Sequence, residues 1–492
     1  MTAGSITDTT TDEIVDWFPH ELFLGGHWVA SSDGTVLEVV DPATEHVVAR
    51  VANGTDVDAK TAVDAAACAL PAWSRVSPRE RGEVLRRTFE LMTEHREALA
   101  RLISLENGKA LHDARGEVAY AAEFFRWYAE EAVRLLGSVQ LSASGTNRIL
   151  VTHQPIGVSV LVTPWNFPAA MATRKIAPAL AAGCTVILKP ASETPLTALA
   201  VAALLAEAGV PAGVVNVLPS TRSGRVVSRM LADARVRKLS FTGSTQVGRI
   251  LLAEASKSVV SCSMELGGNA PFLVFADADL DQALEGALIA KMRNGGEACT
   301  AANRFYVERD VVEEFSTRLA ARMSALRMGP GLDETVELGP LVNNDSLNKV
   351  AGLVESTLGL GARALTGGTP VEGAGFFYPP TVLVDVPPRA PVLHEEIFGP
   401  VAPIVAFDTE DEAVGLANDT EYGLVAYVYT SDLKRGLRVS GRIEAGMVGL
   451  NRGMVSDPAA PFGGVKQSGL GREGGHEGML EFTESQYIAV DW

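Results

Sequence analysis

The segment GVSVLVTPWNFPAAMATRKIAPALAAGCTVILK, residues 157–189, decides the fold. Its apolar, β-branched beginning, residues 157–162, predicts a buried strand. Residues 169–182 predict a helix that ends at Gly183, and residues 184–189 predict a second strand. A strand, a helix and a second strand in this order form a βαβ unit, whose strands are parallel. The segment therefore predicts a parallel sheet covered by helices.

The alternation of helices and strands continues along the chain. Up to Glu265 it predicts further helices over residues 56–72, 78–102, 116–136, 195–208, 223–232 and 244–255, and further strands over residues 214–218, 236–241 and 259–264. After Glu265 a second α/β lobe is predicted from strands near residues 272–275, 304–308, 403–407, 426–429 and 448–451. Repeated βαβ units predict doubly wound sheets, in which ligands gather at the carboxyl ends of the strands.

Length and composition limit the class of protein. A chain of 492 residues is long for a single core, so two or three lobes are expected. The formal net charge of −18 argues against nucleic acid and anionic membranes as partners. No apolar run reaches the roughly 20 residues of a membrane span. Residues 1 to about 20 are polar and acidic, are expected to form a loose arm, and lack the pattern of a secretory signal. We therefore expect a cytoplasmic protein.

The four cysteines have neither the density of a disulfide framework nor the spacing of a zinc site, and the eight histidines are scattered. This pattern is typical of a reducing compartment and predicts no metal site. One of the cysteines, Cys299, lies behind two glycines and a small residue in NGGEACTAANR, residues 294–304. Because glycines allow a ligand to approach the backbone and leave the sulfur unshielded, Cys299 is our candidate nucleophile. The alternative is a buried, inert cysteine.

Two further stretches favour the nucleophile. MELGGNAP at residues 264–271 places the Glu265 carboxylate beside a Gly-Gly turn, and TPWNFP at residues 163–168 places the Asn166 amide after an apolar strand. With Cys299 they supply a nucleophile, a base and an oxyanion donor. These three motifs, in this order and with Glu265 thirty-four positions before Cys299, resemble those of the NAD(P)-dependent aldehyde dehydrogenase superfamily. The resemblance covers nearly the whole chain.

The resemblance implies an α/β fold with two doubly wound lobes and a small β oligomerisation element. It assigns residues 1–126 and 150–264 to a dinucleotide-binding domain, 265–475 to a catalytic domain with the nucleophilic cysteine, and 127–149 and 476–492 to the oligomerisation element. A homodimer or a homotetramer is the assembly that it implies.

The resemblance also implies a mechanism. Cys299 attacks the aldehyde as a thiolate, its pKa lowered locally. The Asn166 amide and the backbone N–H of Cys299 hold the oxyanion of the thiohemiacetal, and hydride leaves for the nicotinamide. Glu265 then activates the water that hydrolyses the thioester to the carboxylic acid. This glutamate separates the expected activity from that of CoA-acylating family members, which usually lack it.

A phosphate site is predicted in FTGSTQVG, residues 241–248, although the chain has no GxGxxG fingerprint. Gly243 and Ser244 stand at a strand-to-helix junction, where free N–H groups can receive a phosphate, but such turns also cap ordinary helices. With the resemblance, the implied cofactor residues are Trp165, Lys189, Ser192, Gly243, Ser244 and, at the nicotinamide end, Glu396 and Phe398.

Ser192 bears on the choice of cofactor. NAD-preferring family members often have a glutamate three residues after the lysine that corresponds to Lys189, and this chain has Ser192 there. A lysine and a hydroxyl can both bond the 2′-phosphate of NADP. We therefore expect NADP or NAD, with NADP favoured, and Glu193 keeps NAD use open.

Two arginines indicate an acidic substrate. Arg293 lies six residues before Cys299, and Arg174 lies eight after Asn166. Both match arginines with which succinate-semialdehyde dehydrogenases hold the substrate carboxylate, and Ser456 corresponds to their third substrate contact. A guanidinium fork suits a carboxylate. The expected substrate is succinate semialdehyde or a similar ω-oxo-carboxylate.

Departures from that branch leave alternatives open. Glu297 stands where many of its members have glutamine, and Ala301 stands where they have a second cysteine. If Arg174 and Arg293 are structural, the substrate is a neutral aldehyde. A thiol acyltransferase or hydrolase is a second class, although no histidine lies in the three motifs to act as its base. A non-catalytic protein with this fold would be expected to have lost one of the three motif residues.

Overall fold

The computed structural model describes residues 14–16 and 18–491. Most of the predicted N-terminal arm and the last residue of the chain, Trp492, lie outside the described residues. The described strands form two large and two small sheets. In chain order they are β1 (Leu22–Leu24), β2 (His27–Val29), β3 (Val36–Val40), β4 (Val47–Ala52), β5 (Ser138–Leu141), β6 (Arg148–Pro155), β7 (Val158–Val162), β8 (Thr185–Lys189), β9 (Val215–Val217), β10 (Val236–Thr242), β11 (Ser261–Glu265), β12 (Ala270–Val274), β13 (Ala302–Glu308), β14 (Arg363–Thr366), β15 (Thr381–Val384), β16 (Val401–Phe407), β17 (Val425–Tyr429), β18 (Met447–Leu450), β19 (Gly469–Leu470) and β20 (Thr483–Val490).

The first large sheet has the strand order β19-β11-β10-β7-β8-β9-β1-β2. The strands from β11 to β9 are parallel, and short antiparallel strands lie at both edges. Alternate residues of the central strands enter two different hydrophobic cores, so both faces of the sheet are covered: Leu161 and Leu188 lie in one core, and Val160 and Ile187 lie in the other. The predicted doubly wound parallel sheet is confirmed.

The second large sheet follows Glu265, as predicted, with the order β14-β15-β16-β13-β12-β17-β18. All its neighbouring strands are parallel except β14, which runs antiparallel to β15. Every residue of β12 and β17 is buried. The chain thus contains two α/β lobes, and the Cys299 loop leads into β13 of the second.

The third sheet pairs β5, β6 and β20 in antiparallel order, and β3 pairs with β4 in the fourth. Strand β6 extends to Pro155, beyond the segment predicted to form a hairpin, because its whole length bonds to β20. The helix before it also extends to Glu131, inside the same segment. That this sheet joins subunits remains a prediction, as do the domain boundaries.

The helices lie mostly where the sequence predicts them. The α-helices are Asp56–Trp73, Pro78–Glu94, Arg96–Asn107, Leu111–Glu131, Pro168–Ala182, Pro195–Glu207, Ser223–Leu231, Thr245–Ser256, Leu280–Met292, Val312–Ser324, Asn344–Gly359, Glu410–Asn418, Leu433–Ser440 and Glu477–Leu480. The single helix predicted over residues 78–102 is wrong: the chain leaves helical geometry at His95, so two helices replace it. No helix in the described part of the chain is both long and apolar enough to cross a membrane.

The helix Pro168–Ala182 shows how local sequence places the site. Pro168 stands in its first turn, where a missing N–H costs nothing, and Gly183 ends it with a left-handed φ of 96°. All fifteen of its residues are buried. Because the helix is fixed on every side, the loop between β7 and Pro168 is held rigidly at the carboxyl edge of the sheet. Strands β8, β10 and β11 end at the same edge. Lys189 and Glu265 are the last residues of β8 and β11, and Gly243 directly follows β10.

Candidate active site

Asn166 lies in the loop after β7 and is 3% exposed. Its side-chain Nδ2 donates to the carbonyl oxygen of Glu297 at 3.0 Å, in the loop that carries Cys299. Its own carbonyl oxygen accepts hydrogen bonds from Lys109 Nζ at 2.6 Å and from Asn294 Nδ2 at 3.0 Å. A hydrogen bond therefore joins the side chain of the predicted oxyanion donor to the backbone of the loop that carries the predicted nucleophile.

The Cys299 loop starts with a left-handed turn. Asn294, Gly295 and Gly296 have φ values of 53°, 60° and 80°. A Cβ at Gly296 would overlap the backbone carbonyl of Gly399, and one at Gly268 would overlap the carbonyl oxygen of Cys299 itself. Gly296 and Gly268 must therefore be glycines, because each allows the backbone of another segment to approach closely.

Burial raises the pKa of the Cys299 thiol to about 12, with Glu396 and Glu265 acting in the same direction and Arg174 and Arg293 opposing it. The expectation of a locally lowered pKa is wrong for this structure. The thiolate loses its hydration inside the site, and the two guanidinium groups do not compensate for that loss. At neutral pH the residue is therefore a thiol, and a nucleophilic role would require it to lose its proton first.

Glu265 ends β11 and is 2% exposed. Neither oxygen of its carboxyl group has a hydrogen-bond partner among the described residues. Burial, together with the nearby Glu473 carboxylate, raises the pKa of Glu265 well above its usual range. A carboxylate of raised pKa is a stronger base once ionised, and its two free oxygens can receive a water proton.

The predicted substrate residues lie around one cavity that reaches the thiol. Its lining residues are Tyr120, Phe167, Met171, Arg174, Arg293, Ala298, Cys299, Thr300, Ser456 and Phe462. Arg174, Arg293 and Ser456 are thus brought together with Cys299, although Ser456 is far from the others in sequence. Three aromatic side chains, those of Tyr120, Phe167 and Phe462, are also part of the wall.

The two arginines differ in their contacts. Arg174 forms an ion pair with Glu473 and lies 4.2 Å from the centre of the Phe462 ring. Arg293 donates from Nη2 to Thr300 Oγ1 at 3.3 Å and from Nη1 to Met454 Sδ at 2.8 Å, but forms no ion pair with any described residue. Only Arg293 therefore presents a charge without an acidic partner.

Glu297 lies two residues before Cys299. It is not among the residues that line this cavity, nor among those that line the cavity around Trp165 and Glu396. Its Oε1 accepts the backbone N–H of Val342 at 3.2 Å, and burial raises its pKa to about 8. Near neutral pH it is therefore mainly a neutral acid, similar in shape to a glutamine. It adds no charge to the substrate cavity wall.

A second cavity, of about 230 Å³, also has Cys299 in its lining. Its lining residues are Pro164, Trp165, Asn166, Met171, Thr242, Gly243, Ser244, Leu266, Gly267, Cys299, Ser346, Lys349, Glu396 and Phe398. Five of the seven predicted cofactor residues are among them. Sequence reasoning missed Ser346 and Lys349, because on the helix Asn344–Gly359 they look like ordinary surface positions.

Lys189 and Ser192 lie outside the lining of this cavity, at the end of β8. Lys189 is 4% exposed and forms no ion pair with the described residues. Burial lowers its pKa to about 8. Ser192 Oγ donates to Glu193 Oε2 at 3.1 Å. That Lys189 and Ser192 bind a 2′-phosphate remains a prediction.

The residues present fit a dinucleotide. Ser244 caps the helix Thr245–Ser256, accepting from Val247 N at 3.3 Å, and the free N–H groups of that helix start suit a phosphate. A Cβ at Gly243 would lie 2.5 Å from the Phe241 ring, so only glycine fits there. Glu396 Oε1 accepts from Gly268 N at 2.9 Å, which leaves Oε2 for a ribose hydroxyl.

Comparisons with known proteins agree with this geometry. A model of the aldehyde dehydrogenase family matches residues 28–488. The chain is 56% identical to the succinate-semialdehyde dehydrogenase of Paenarthrobacter nicotinovorans over 90% of this chain and 99% of that protein. It is 47% identical to the glutarate-semialdehyde dehydrogenase of Pseudomonas putida over 96% and 98% of the two chains. A crystal structure of an NADP-dependent enzyme of Escherichia coli matches with a TM-score of 0.95 and 47% identity, over 97% of this chain and 99% of that one.

The fold and these matches define an α/β oxidoreductase. The chain belongs to the aldehyde dehydrogenase family, which confirms the resemblance seen in its motifs. It is an NAD(P)-dependent enzyme that oxidises an aldehyde to a carboxylic acid. A thiol hydrolase and a non-catalytic protein are not favoured.

Proposed function

We propose that the enzyme oxidises succinate semialdehyde, or a similar ω-oxo-carboxylate, to the dicarboxylate. The observation that carries the proposal is Arg293, which lines the same cavity as Cys299 and has no acidic partner among the described residues. Such a guanidinium suits a carboxylate at the far end of the substrate. The two relatives named above act, by their names, on aldehydes that end in a carboxylate.

Cys299, Asn166 and Glu265 carry the chemistry in this proposal. The sulfur of Cys299, as thiolate, forms a bond to the aldehyde carbon, and the carbonyl oxygen becomes an oxyanion. Loss of hydride from that carbon leaves a thioester on Cys299. Bound NAD(P)⁺ supplies the acceptor for the hydride. Glu265 removes a proton from water as the water attacks the thioester, which releases the acid and the free cysteine.

The oxyanion would be held by the Asn166 side chain and the backbone N–H of Cys299. One N–H of the Asn166 amide is already donated to the Glu297 carbonyl, but the NH₂ group carries two donors. The bond to Glu297 therefore orients the amide and leaves its second N–H for the substrate. A donor of this kind is typically worth about 2.7–4 kcal/mol in the transition state.

The proposal favours NADP over NAD. Lys189, which has no ion-pair partner among the described residues, and Ser192 can both bond a 2′-phosphate, and no glutamate stands at position 192 to repel it. The similar structure from Escherichia coli is of an enzyme described as NADP-dependent. NAD remains the second cofactor in this proposal.

We also propose a homodimer or homotetramer in the cytoplasm. The sheet of β5, β6 and β20 exposes Val139, Leu141 and Tyr487 by 54% or more, and apolar surface of this kind often marks a protein interface. This supports assigning residues 127–149 and 476–492 to oligomerisation. In this proposal residues 1–126 and 150–264 form the cofactor-binding domain, and residues 265–475 form the catalytic domain. All four cysteines are free, which suits a reducing compartment.

The test is kcat/KM for succinate semialdehyde, glutarate semialdehyde and butyraldehyde, measured with NADP and then with NAD. Butyraldehyde has the chain length of succinate semialdehyde without its carboxylate. We expect a preference of at least about tenfold, or about 1.4 kcal/mol, for an aldehyde with a carboxylate. This preference should vanish in Arg293→Ala.

Arg86→Ala is the matched control, because Arg86 is a surface arginine in a different helix. It should leave the preference unchanged. Equal values for all three aldehydes would discard the substrate and keep the aldehyde dehydrogenase. Cys299→Ala should abolish oxidation while cofactor binding stays nearly unchanged, and substantial residual turnover would exclude Cys299 as the nucleophile.

A further inference from the structure

The end of the helix Arg96–Asn107 and the following turn bury three polar side chains. Glu106, Asn107 and Lys109 are 1%, 0% and 3% exposed. Gly108 makes the turn between them with a φ of 89°. A buried charge costs several kcal/mol unless it is paired and hydrogen-bonded, so these side chains need partners. Those partners lie in the oxyanion loop and the helices that start nearby.

Lys109 connects two charged or polar groups. Its Nζ lies 2.6 Å from Glu117 Oε2 and 2.6 Å from the carbonyl oxygen of Asn166. The ammonium also lies 4.2 Å from the centre of the Phe167 ring. These three contacts of the ammonium are made with the segment that carries the oxyanion donor, through Asn166 and Phe167, and with the carboxylate of Glu117.

Glu117 holds the other end of that segment. Its Oε1 accepts the backbone N–H groups of Ala169 at 2.8 Å and Ala170 at 3.2 Å, in the first turn of the helix Pro168–Ala182. A carboxylate at a helix start satisfies free N–H groups and interacts favourably with the helix dipole. The Lys109–Glu117 pair thus fixes both the Asn166 peptide and the helix that follows it.

Two neutral side-chain amides also bind the backbone of this segment. Asn107 Nδ2 donates to the Trp165 carbonyl at 3.1 Å, and Asn294 Nδ2 donates to the Asn166 carbonyl at 3.0 Å. The backbone on both sides of Asn166 is therefore bound from outside its own loop. The Asn166 side chain can then donate to the Cys299 loop in a single orientation.

We propose that Lys109, held by Glu117, is a positioning residue for the oxyanion hole. Its hydrogen bond to the Asn166 carbonyl sets the place of the Asn166 amide, and a shift of about 1 Å in such a group can cost about 100-fold in rate. The inference rests on the proposed function of Asn166. It predicts that Lys109 acts on kcat through Asn166 and leaves cofactor binding alone.

A double-mutant cycle tests this inference. We expect Lys109→Met to lower kcat at least about tenfold, with the Kd for NADP within about twofold of wild type. Asn166→Ala alone should lower kcat about 100-fold. In the Asn166→Ala background, Lys109→Met should cost less than about twofold, because the group that it positions is gone.

The chain offers a matched control. Glu106 also holds a helix start through a buried carboxyl group, accepting from Leu196 N at 2.8 Å and Thr197 N at 2.9 Å, but it has no contact with Asn166. Glu117→Gln should lower kcat, whereas Glu106→Gln should lower thermal stability and leave kcat unchanged. If Lys109→Met does not fold because Glu117 is left without its partner, the double variant Lys109→Met/Glu117→Gln replaces it in the cycle.

The outcomes separate the two ideas. Asn166→Ala with undiminished kcat would overturn the proposed role of Asn166. A slow Asn166→Ala variant combined with a fully additive loss from Lys109→Met would leave that role intact and overturn the positioning role of Lys109. Undiminished kcat in Glu117→Gln would also overturn it.

Discussion

Arg174 and Glu473 form a buried ion pair beside the substrate cavity, although they are about 300 residues apart in the chain. Lys175 pairs with the same carboxylate, and Ser240 Oγ approaches it at 3.5 Å. Burial opposes the ionisation of Glu473, but Arg174 and Lys175 outweigh it and lower the pKa of its carboxyl group. The charge of Arg174 is thus already shared with an acidic partner, and Arg293 is the arginine whose charge is available to a substrate.

Replacing Glu473 with glutamine should destabilise the enzyme. The change leaves Arg174 and Lys175 buried without their counter-charge, and breaking a buried pair in this way typically costs about 3–5 kcal/mol. Thermal unfolding should show a clearly lower Tm. The double variant Arg174→Met/Glu473→Gln should be less destabilised than the sum of the single variants. An unchanged Tm in Glu473→Gln would show that the pair contributes little.

The sequence was sufficient to predict local features. Periodicity predicted the βαβ unit of residues 157–189. The motifs around Asn166, Glu265 and Cys299 correspond to strand ends and loops that the structure brings close together. These features depend on neighbours in the chain. The sequence could also place Glu265 and Cys299 in different lobes, because the strand pattern restarts between them.

Contacts between distant segments could not be predicted. The partner of Arg174, Glu473, lies near the end of the chain, and nothing in the sequence around either residue indicates that the two side chains meet. Lys109 lies just after a helix end, where a lysine normally faces solvent. The predicted direction of the Cys299 pKa shift was wrong for the same reason. The shift depends on how far the folded lobes exclude water from the thiol, and the local sequence does not show this.

The alkylation rate of Cys299 should rise with pH through the whole neutral and mildly alkaline range. Burial raises its pKa to about 12, so the reactive thiolate fraction grows about tenfold per pH unit below that value. The measurement is the iodoacetamide rate constant of the cofactor-free enzyme with Cys68 and Cys262, neither of which is fully buried, replaced by serine. Cys299→Ala serves as the blank. A plateau below about pH 9 would contradict the raised pKa.

Glu265→Gln should slow hydrolysis of the thioester more than hydride transfer. Glutamine keeps the size of the side chain but cannot accept a proton from water. Rapid mixing with aldehyde should give a burst of reduced cofactor, close to one per subunit, followed by slow turnover. A linear time course without a burst would assign Glu265 a different role. Glu254→Gln, on the partly exposed helix Thr245–Ser256, is the control and should behave as wild type.

NADP binding should weaken above about pH 8, while NAD binding should not. A lysine attracts a 2′-phosphate only when protonated, and burial lowers the pKa of Lys189 to about 8. The Kd for NADP should therefore be nearly constant just below neutral pH and then rise toward tenfold per pH unit once the free enzyme loses this proton. NAD has no 2′-phosphate, so its Kd should stay flat.

Two variants separate the charge of Lys189 from other effects on NADP binding. Lys189→Met should remove the pH dependence and raise the Kd for NADP to its high-pH level. Ser192→Glu should weaken NADP binding at every pH, because a carboxylate there repels the phosphate, and it should leave the Kd for NAD unchanged or lower. The 2′-phosphate is the group by which NADP differs from NAD. If the Kd values for NADP and NAD change with pH in the same way in the wild-type enzyme, Lys189 does not contact that phosphate.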